Sequence, residues 1–327
     1  MNIKHSISLG VLGKFADRFH IYQESRSLEE RLRVVKTIPQ ADGVEIIYPQ
    51  DFDIEYPENT IALLKKYDVK VSAVNVNLKS EAKWRFGSLT SRDPYRRQEA
   101  VEYISRAMEV AEELGCYLVT CCPLIDGWDY AFQVDYAKAW GWLIEGLKEA
   151  CSAHPKTRLA LEYKPFESKN YLALPNAGYT LYICEKVGAQ NLGVTLDFGH
   201  ALMGGEMPAA AVVLALQANR LFYMHLNDNN RVWDWDMLPG SVSLWELLEV
   251  LFHLERAEWN GWFAYDVHTR EADPDQTVAA AIYTMRILIH WVQENKKFLE
   301  DVLREGRAAL TYTRLIERLF TECEAGR

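Results

Sequence analysis

Residues 192–236 read LGVTLDFGHALMGGEMPAAAVVLALQANRLFYMHLNDNNRVWDWD, and two short apolar runs enclose a helical segment in this stretch. The runs LGVTLD (192–197) and RLFYMHL (220–226) have the length and composition of buried strands. Between them, MPAAAVVLALQ (207–217) carries a proline in its first turn, where a helix tolerates it, and is long enough for a crossover helix. The stretch therefore predicts a strand, a helix and a second strand parallel to the first.

The same alternation of strand and helix extends in both directions and occurs about eight times along the chain. The predicted strands are ISLGVL (7–12), GVEIIY (43–48), KVSAVNV (70–76), YLVTCC (117–122), RLALEY (158–163), LGVTLD (192–197), RLFYMHL (220–226) and GWFAYD (261–266). The predicted helices are SLEERLRVVKTI (27–38), ENTIALLKKY (58–67), DPYRRQEAVEYISRAMEVAEELG (93–115), AFQVDYAKAWGWLIEGLKEACSA (131–153), LPNAGYTLYICEKVG (174–188), MPAAAVVLALQ (207–217), SVSLWELLEVLFHLERA (241–257) and PDQTVAAAIYTMRILIHWVQ (274–293). Eight such units favour an α/β fold of the (β/α)8 TIM barrel class.

The alternative architecture is an open, doubly wound parallel sheet. Such a sheet normally carries a glycine-rich phosphate loop after its first strand, and GVLGKF (10–15) does not match that pattern. We therefore expect one barrel domain over residues 1–294. The helical period continues through KKFLEDVLREG and LTYTRLIERLFTECEAG, so residues 295–327 are predicted to form a helical tail that packs on the barrel or on a neighbouring subunit.

Charge and composition limit the partners of the chain. The net charge is −10, and no run of lysine and arginine is long enough to follow a phosphate backbone, which argues against nucleic acid. No apolar run approaches the roughly 18 residues of a membrane helix, and the N-terminal residues lack the apolar core of a signal peptide, so we expect no membrane partner and a cytoplasmic location. The six cysteines, at positions 116, 121, 122, 151, 184 and 323, form no CxxC pair and are expected to be reduced.

Four consecutive predicted strands end in polar residues, namely Glu162, Asp197, His225 and Asp266. Because the carboxyl ends of the strands meet at one face of a parallel barrel, these side chains are expected to converge. One buried Asp or His at a strand end is usually a hydrogen-bonded structural residue. Four on successive strands favour a metal site, because a cation relieves the repulsion of buried carboxylates. The oxygen and nitrogen donors suit Mg²⁺, Mn²⁺ or Co²⁺, and no nearby cysteine favours structural zinc.

A second set of candidate ligands lies close to the first. His200 follows Asp197 by one helical turn, and the DWD segment after the seventh strand supplies Asp234 and Asp236. Asp197 is placed to bridge the two sets, so the sequence predicts a site for two metal ions.

These segments resemble the xylose isomerase-like barrels, and within that family the xylose and L-rhamnose isomerases, over about residues 6–275. LEYKPFE is similar to the family's Glu-x-Lys segment, which implies that Glu162 binds metal and that Lys164 contacts the substrate. YDVHTRE resembles the last-strand segment whose acidic residue completes the first metal site, and this implies that role for Asp266.

The resemblance extends to the segments that supply the second site. LDFGH resembles an acidic residue followed by a histidine three positions later, which implies that Asp197 bridges the metals and that His200 binds the second one. HLND followed by DWD is similar to the rhamnose isomerase form, which implies His225 at the first metal and Asp234 with Asp236 at the second.

Three aromatic residues are further candidate contacts for the substrate. Strand two of xylose isomerases ends in a histidine that meets the sugar ring oxygen, whereas this chain has Tyr48 there. The fourth strand lacks the family's tryptophan at its end, although Trp128 follows in the loop. Phe19 is similar to a phenylalanine that enters the neighbouring subunit's pocket in xylose isomerase, which implies a homo-oligomer, either a dimer or a tetramer.

The resemblance implies an aldose–ketose isomerase that uses two divalent cations per chain, with Mn²⁺, Mg²⁺ or Co²⁺ as the metal, to move hydrogen between C1 and C2 of a sugar. Lys164, His200 and Asp234 would be its catalytic residues. A ketose 3-epimerase of the same barrel family, with one metal and a pair of carboxylates, is the nearest alternative. A barrel endonuclease would need a basic groove and more metal-binding histidines, and a metal-stabilised binding protein is a further alternative. The identity of the sugar and any acidic substituent stay open.

Overall fold

Eight parallel strands close into a barrel in the computed structural model of the chain, which describes residues 1–321. The strands, numbered along the chain, are β1 Asn2–Ser8, β2 Gly43–Tyr48, β3 Val71–Val76, β4 Leu118–Cys121, β5 Arg158–Glu162, β6 Leu192–Asp197, β7 Leu221–Leu226 and β8 Asn260–Tyr265. The first strand, β1, pairs in parallel with both β8 and β2, so the sheet is closed. This architecture confirms the predicted (β/α)8 TIM barrel.

The predicted position of the first strand, at residues 7–12, is wrong. β1 begins at Asn2, and Leu9–Leu12 form a short 3₁₀ helix. The strand was not recognised in the sequence because it contains polar residues, His5 and Ser6, that are buried in the structure. His5 Nδ1 lies 2.7 Å from the Tyr265 hydroxyl and is therefore satisfied without water, so this position need not be apolar. The other seven strands match their predicted positions to within a residue at each end.

Helices connect the strands and cover the barrel from outside. They are α1 Leu28–Val35, α2 Pro57–Lys66, α3 Pro94–Glu113, α4 Tyr136–Ala153, α5 Ala177–Val187, α6 Phe198–Met203, α7 Pro208–Gln217, α8 Leu244–Arg256, α9 Pro274–Glu294, α10 Lys296–Glu305 and α11 Ala308–Thr321. Local sequence explains several ends: Ser27 and Glu30 form a capping box at the start of α1, and Gly188 ends α5 in the left-handed conformation. Asp135 caps α4, which therefore begins later than the predicted residue 131.

Loops at the carboxyl ends of the strands form a rim around the barrel mouth. A hairpin of Phe15–Ala16 and Ile21–Gln23 follows β1. Asp126, which is fully buried after β4, accepts hydrogen bonds from the backbone N–H and the hydroxyl of both Ser88 and Thr90. The loop after β3 is thereby tied to the loop after β4. A three-stranded sheet in the loops after β4 and β5 consists of Gly127–Trp128, Phe166–Glu167 and Asn170–Leu172.

The helical tail packs on its own barrel. Leu299 of α10 is buried in the hydrophobic core, and the ring of Tyr312 in α11 lies 5.5 Å from that of Trp245 in α8, centroid to centroid. Contact between the tail and a neighbouring subunit stays a prediction. Residues 322–327, which include Cys323, lie outside the described residues.

None of the helices within residues 1–321 is long and apolar enough to cross a bilayer. The five cysteines over the same range are free thiols. Burial raises the pKa of Cys121 to about 12, so that thiol is a neutral packing group rather than a nucleophile.

Candidate metal centre

Three barrel strands and a short helix bring four ligand-type side chains together. Glu162 ends β5, Asp197 ends β6, and His225 on β7 is paired in register with Asp197. Asp197 also caps α6, because its Oδ1 accepts a hydrogen bond of 2.8 Å from His200 N. This cap brings a histidine three residues after the aspartate back to the strand end. All four side chains are buried, and ligand atoms of Glu162, Asp197 and His200 lie within 4.8 Å of one another.

His225 faces the same carboxylates with one of its ring nitrogens. Its Nδ1 lies 3.3 Å from Glu162 Oε1 and 4.0 Å from Asp197 Oδ2. Although Nδ1 is buried, it has no hydrogen-bond partner within residues 1–321. A buried imidazole nitrogen aimed at two carboxylates fits a metal ligand, because a cation between them would satisfy all three groups.

A second group of side chains meets at Asp234. Its Oδ2 lies 3.2 Å from His200 Nε2 and 2.8 Å from Lys164 Nζ, and the Lys164 ammonium also contacts Glu167. His200 Nδ1 lies 2.9 Å from the Tyr163 carbonyl oxygen, so the opposite ring nitrogen is the one directed at Asp234. Asp234 Oδ1 is buried and finds no partner in the described part of the chain. The three residues predicted to be catalytic are therefore in direct contact.

Asp236 and Asp266 lie at the edge of these two groups. Burial, together with the negative charges of Asp234, Asp266 and Asp197, raises the pKa of Asp236 well above its usual range. Asp266 directly follows β8. Over residues 1–321, neither residue joins Glu162, Asp197 and His200 within 4.8 Å. The structure thus brings the other predicted metal ligands into contact and leaves Asp236 and Asp266 beside them.

The electrostatics of the cluster favour a cation. Burial favours a neutral Glu162, but the charges of His225 and His200 outweigh it and lower the pKa of Glu162 to about 2. Burial raises the pKa of Asp197 to about 6, against the opposing charge of His200. Burial disfavours the His200 imidazolium, yet Asp197 and Asp234 raise its pKa to about 9. Protons therefore hold this cluster together in the metal-free chain, and a divalent cation would displace them.

The predicted aromatic contacts do not reach this cluster. The ring of Tyr48 lies 6.1 Å from that of Tyr103 on α3, so it packs outside the barrel, and its contact with the substrate stays a prediction. The ring of Trp128 lies 4.8 Å from that of Tyr136 and lines a separate cavity of about 1070 Å³, and its contact with the substrate likewise stays a prediction. Phe19 is 72% exposed near the tip of the hairpin after β1, and its entry into a neighbouring subunit stays a prediction.

Glu45 is a residue of the site that the sequence analysis missed. It lies in the middle of β2, is 1% exposed, and its Oε2 lies 2.9 Å from His225 Nε2. Its other oxygen accepts a hydrogen bond from the Thr120 hydroxyl. The signal in the sequence is an acidic residue inside the otherwise apolar strand GVEIIY, away from the strand ends that carry the predicted ligands.

Comparisons with known proteins identify the family of the chain. Residues 32–288 match the family model described as a xylose isomerase-like TIM barrel. A xylose isomerase of Thermus thermophilus is 28% identical over 245 residues, which cover 73% of this chain and 63% of that protein. The chain thus spans less than two thirds of that relative's length. A probable sugar isomerase of Mesorhizobium japonicum is 25% identical over 331 residues, covering 96% of this chain and 76% of the relative.

Solved structures share the fold at lower sequence identity. The crystal structure of a D-tagatose 3-epimerase-like protein superposes with a TM-score of 0.71 at 19% identity, covering 89% of this chain and 99% of that one. At this identity the similarity establishes the fold alone. The family model, by contrast, matches residues 32–288, which is most of the sequence. The chain therefore belongs to the xylose isomerase-like TIM barrel family.

Proposed function

We propose that this chain is a metal-dependent aldose–ketose isomerase that acts on a free sugar or a sugar derivative. The observation that carries the proposal is the position of Asp234, whose carboxylate contacts both His200 and Lys164 beside the Glu162 and Asp197 cluster. A cationic donor and a carboxylate acceptor thus lie side by side next to a set of metal ligands. Relatives named xylose isomerase and probable sugar isomerase support the same reaction class.

The donor set fits divalent cations, and Mn²⁺, Mg²⁺ and Co²⁺ suit its oxygen and imidazole ligands. The residues proposed to hold a first cation are Glu162, Asp197, His225 and Asp266. The residues proposed to hold a second are His200, Asp234 and Asp236, with Asp197 shared. When bound, the cations supply Lewis-acid polarisation of the sugar oxygens.

Lys164 is suited to act as a hydrogen-bond donor. Burial disfavours its ammonium, but Asp234 and Glu167 outweigh burial and raise the pKa of Lys164 above its usual range. The side chain therefore stays protonated and does not act as a base. Isomerisation moves a hydrogen between C1 and C2 and a proton between O1 and O2, so negative charge develops on the carbonyl oxygen. The Lys164 ammonium stabilises that charge.

Asp234 is suited to act as a hydrogen-bond acceptor. Burial favours its neutral form, but His200 and Lys164 outweigh burial and lower the pKa of Asp234, so the carboxylate stays ionised. Its buried Oδ1, without a partner in residues 1–321, is the atom available to accept a substrate hydroxyl. Together, Lys164 and Asp234 would orient the two oxygens between which the proton moves.

A ketose 3-epimerase is the second candidate function. The tight group of Glu162, Asp197 and His200 contains enough donors for one cation, and a D-tagatose 3-epimerase-like protein shares the fold. An epimerase inverts C3 of a ketose and needs no second metal. The contacts of Asp234 with His200 and Lys164 favour the isomerase, because they build a second polar group beside the first.

The test is a panel of aldoses and ketoses incubated with the purified chain and Mn²⁺ or Co²⁺, with products separated by chromatography. The proposal expects interconversion of an aldose with its 2-ketose, and two Mn²⁺ per chain. Interconversion of C3-epimeric ketoses, with one Mn²⁺ bound per chain, would refute the isomerase and support the epimerase. No sugar conversion with either metal would contradict both. The cytoplasmic location, the homo-oligomer and the absence of a nucleic acid partner stay predictions.

A further inference from the structure

Glu45 reaches across the interior of the barrel from β2 to β7. Side chains alternate along a strand, and Tyr48 packs outside the barrel against Tyr103, so Glu45 points inward. The two strands are not neighbours in the sheet, yet Glu45 Oε2 lies 2.9 Å from His225 Nε2. A buried carboxylate is costly unless its oxygens are hydrogen-bonded, so this contact accounts for one oxygen.

The second oxygen of Glu45 is held by a chain of hydrogen bonds. Its Oε1 accepts from the Thr120 hydroxyl, and Thr120 Oγ1 in turn accepts a bond of 3.0 Å from Asn75 Nδ2. These residues lie on β4 and β3, the strands that follow β2 around the barrel. Glu45 is therefore fixed from one side of the barrel, and both of its oxygens are engaged before any ligand binds.

This arrangement determines which nitrogen of His225 carries the proton when the other nitrogen binds a cation. An ionised carboxylate accepts hydrogen bonds and cannot donate, so His225 Nε2 donates to Glu45. The lone pair then lies on Nδ1, which is 3.3 Å from Glu162 Oε1 and has no hydrogen-bond partner over residues 1–321. Metal-binding histidines commonly donate their other ring N–H to a carboxylate in this way.

We propose that Glu45 is a positioning residue that holds His225 with its Nδ1 lone pair facing Glu162 and Asp197, and thereby tightens the first metal site. The inference rests on the proposed metal dependence and adds a residue that touches neither metal nor sugar. Glu45 acts through His225 and fixes both the rotation of the imidazole ring and its tautomer.

The test compares Glu45→Gln with Asp51→Asn. Both changes replace a buried carboxylate by an amide near β2, but Asp51 pairs with Arg31 and does not contact His225. Titration calorimetry with Mn²⁺ should show affinity at one site falling about 10- to 100-fold in Glu45→Gln, as expected for loss of a carboxylate behind a ligand histidine. The other site should change little. Asp51→Asn should bind Mn²⁺ like the wild type.

A second readout does not depend on sugar turnover and already tests the assignment in the wild-type protein. Nitrogen-15 spectra of the histidine side chains in the Mg²⁺-loaded wild-type protein should show His225 as the Nε2–H tautomer. In Glu45→Gln the Nδ1–H tautomer should become populated. An Nδ1–H tautomer in the wild type, or unchanged Mn²⁺ affinity in a folded Glu45→Gln protein, would overturn the assignment.

The outcomes separate this inference from the proposed function. Tight Mn²⁺ binding without any sugar conversion would refute the isomerase. The Mn²⁺ affinity of Glu45→Gln would still test the positioning role of Glu45. Sugar conversion by a Glu45→Gln protein with wild-type metal affinity would refute only the role of Glu45. A wild-type protein that binds no divalent cation would refute both.

Discussion

Asp234 contacts His200 on one side and Lys164 on the other, at 3.2 and 2.8 Å. A single carboxylate therefore connects a candidate metal ligand to a candidate substrate contact. Burial strengthens each of these charge interactions, because little water is present to screen them. Changes at these residues are expected to affect turnover more than folding as long as the shape of the side chain is kept.

Asp234→Asn should lower kcat by about 10²- to 10⁴-fold, the range for loss of a positioned acid or base, because the amide cannot replace the carboxylate as a proton acceptor. Steady-state assays with the sugar that the wild type converts would measure this loss. Asp301→Asn, a change at a partly exposed carboxylate on α10, is the matched control and should leave kcat unaltered. A fully active, metal-loaded Asp234→Asn enzyme would contradict the assignment.

Lys164→Gln should lower kcat by about 10²- to 10³-fold through loss of the donor to the developing oxyanion. It should also destabilise the metal-free chain, because Asp234 and Glu167 lose their buried cationic partner. Kinetic assays and thermal melts of the same sample would measure both effects. The control is Lys169→Gln, which changes a lysine that lines the separate cavity beside Trp128. If Lys164→Gln lowers the melting temperature but leaves kcat intact, Lys164 is structural.

At the scale of elements, buried polar groups tie the loops at the carboxyl ends of the strands to one another. Asp126 is the main example, since the loop after β3 is tied to it by both Ser88 and Thr90. Hydrogen bonds to a buried charge are stronger than neutral ones, and donors left without an acceptor lose their full desolvation energy. The loop after β3 should therefore become mobile when its hydrogen bonds to Asp126 are lost.

Asp126→Ala should lower the free energy of unfolding by about 3 kcal/mol, the order expected when buried donors to a charged acceptor lose their partner. It should also make the loop around Arg85 and Arg92 accessible to trypsin. Urea unfolding and limited proteolysis followed by mass spectrometry would measure the two effects. Ser27→Ala, which removes the cap of α1, should lower stability by about 1 kcal/mol without new cleavage in this loop. An Asp126→Ala protein as resistant to trypsin as the wild type would contradict the role of Asp126.

Apolar strands and capped helices could be predicted from the sequence, because an apolar run and a helix cap are local features of the chain. The strand at Gly43–Tyr48 is an example. β1 could not be placed, since its buried His5 and Ser6 have polar partners, Tyr265 and Ser72, that are far away in the sequence. For the site, the strand ends pointed to Glu162, Asp197 and His225, which the fold brings close together. Glu45 could not be predicted in this way, because its contact with His225 on β7 depends on how the strands face one another across the barrel.

On the scale of the whole molecule, the charged cluster links the stability of the fold to pH and metal. The pKa of His200 is raised in the fold from about 6.5 to about 9. The stabilisation that its proton provides is therefore fully present below about pH 6.5 and is lost as the pH rises through about 9. Metal binding requires the unprotonated imidazole, so cation and proton compete for the same atoms.

The stabilisation by Mn²⁺ should therefore increase with pH between about 6.5 and 9. At a metal concentration about 1,000 times the Kd, the gain is about 4 kcal/mol, enough to raise Tm by several degrees in a chain of this size. Thermal melts with Mn²⁺ and with EDTA across this pH range would measure the difference. In His200→Asn the increase should be smaller, since the competing proton is gone. A difference in Tm that is independent of pH would contradict this linkage.

The central claim is that one cluster at the barrel mouth, built by Glu162, Asp197, His200, His225 and Asp234, isomerises a sugar with the help of bound metal. The most direct measurement is the product distribution when the Mn²⁺-loaded chain is incubated with aldoses and ketoses, with Asp234→Asn run in parallel. We predict that an aldose and its 2-ketose interconvert, that EDTA abolishes the conversion, and that Asp234→Asn lacks it. Conversion limited to C3-epimeric ketoses, or an aldose–ketose conversion that survives both EDTA and Asp234→Asn, would contradict the claim.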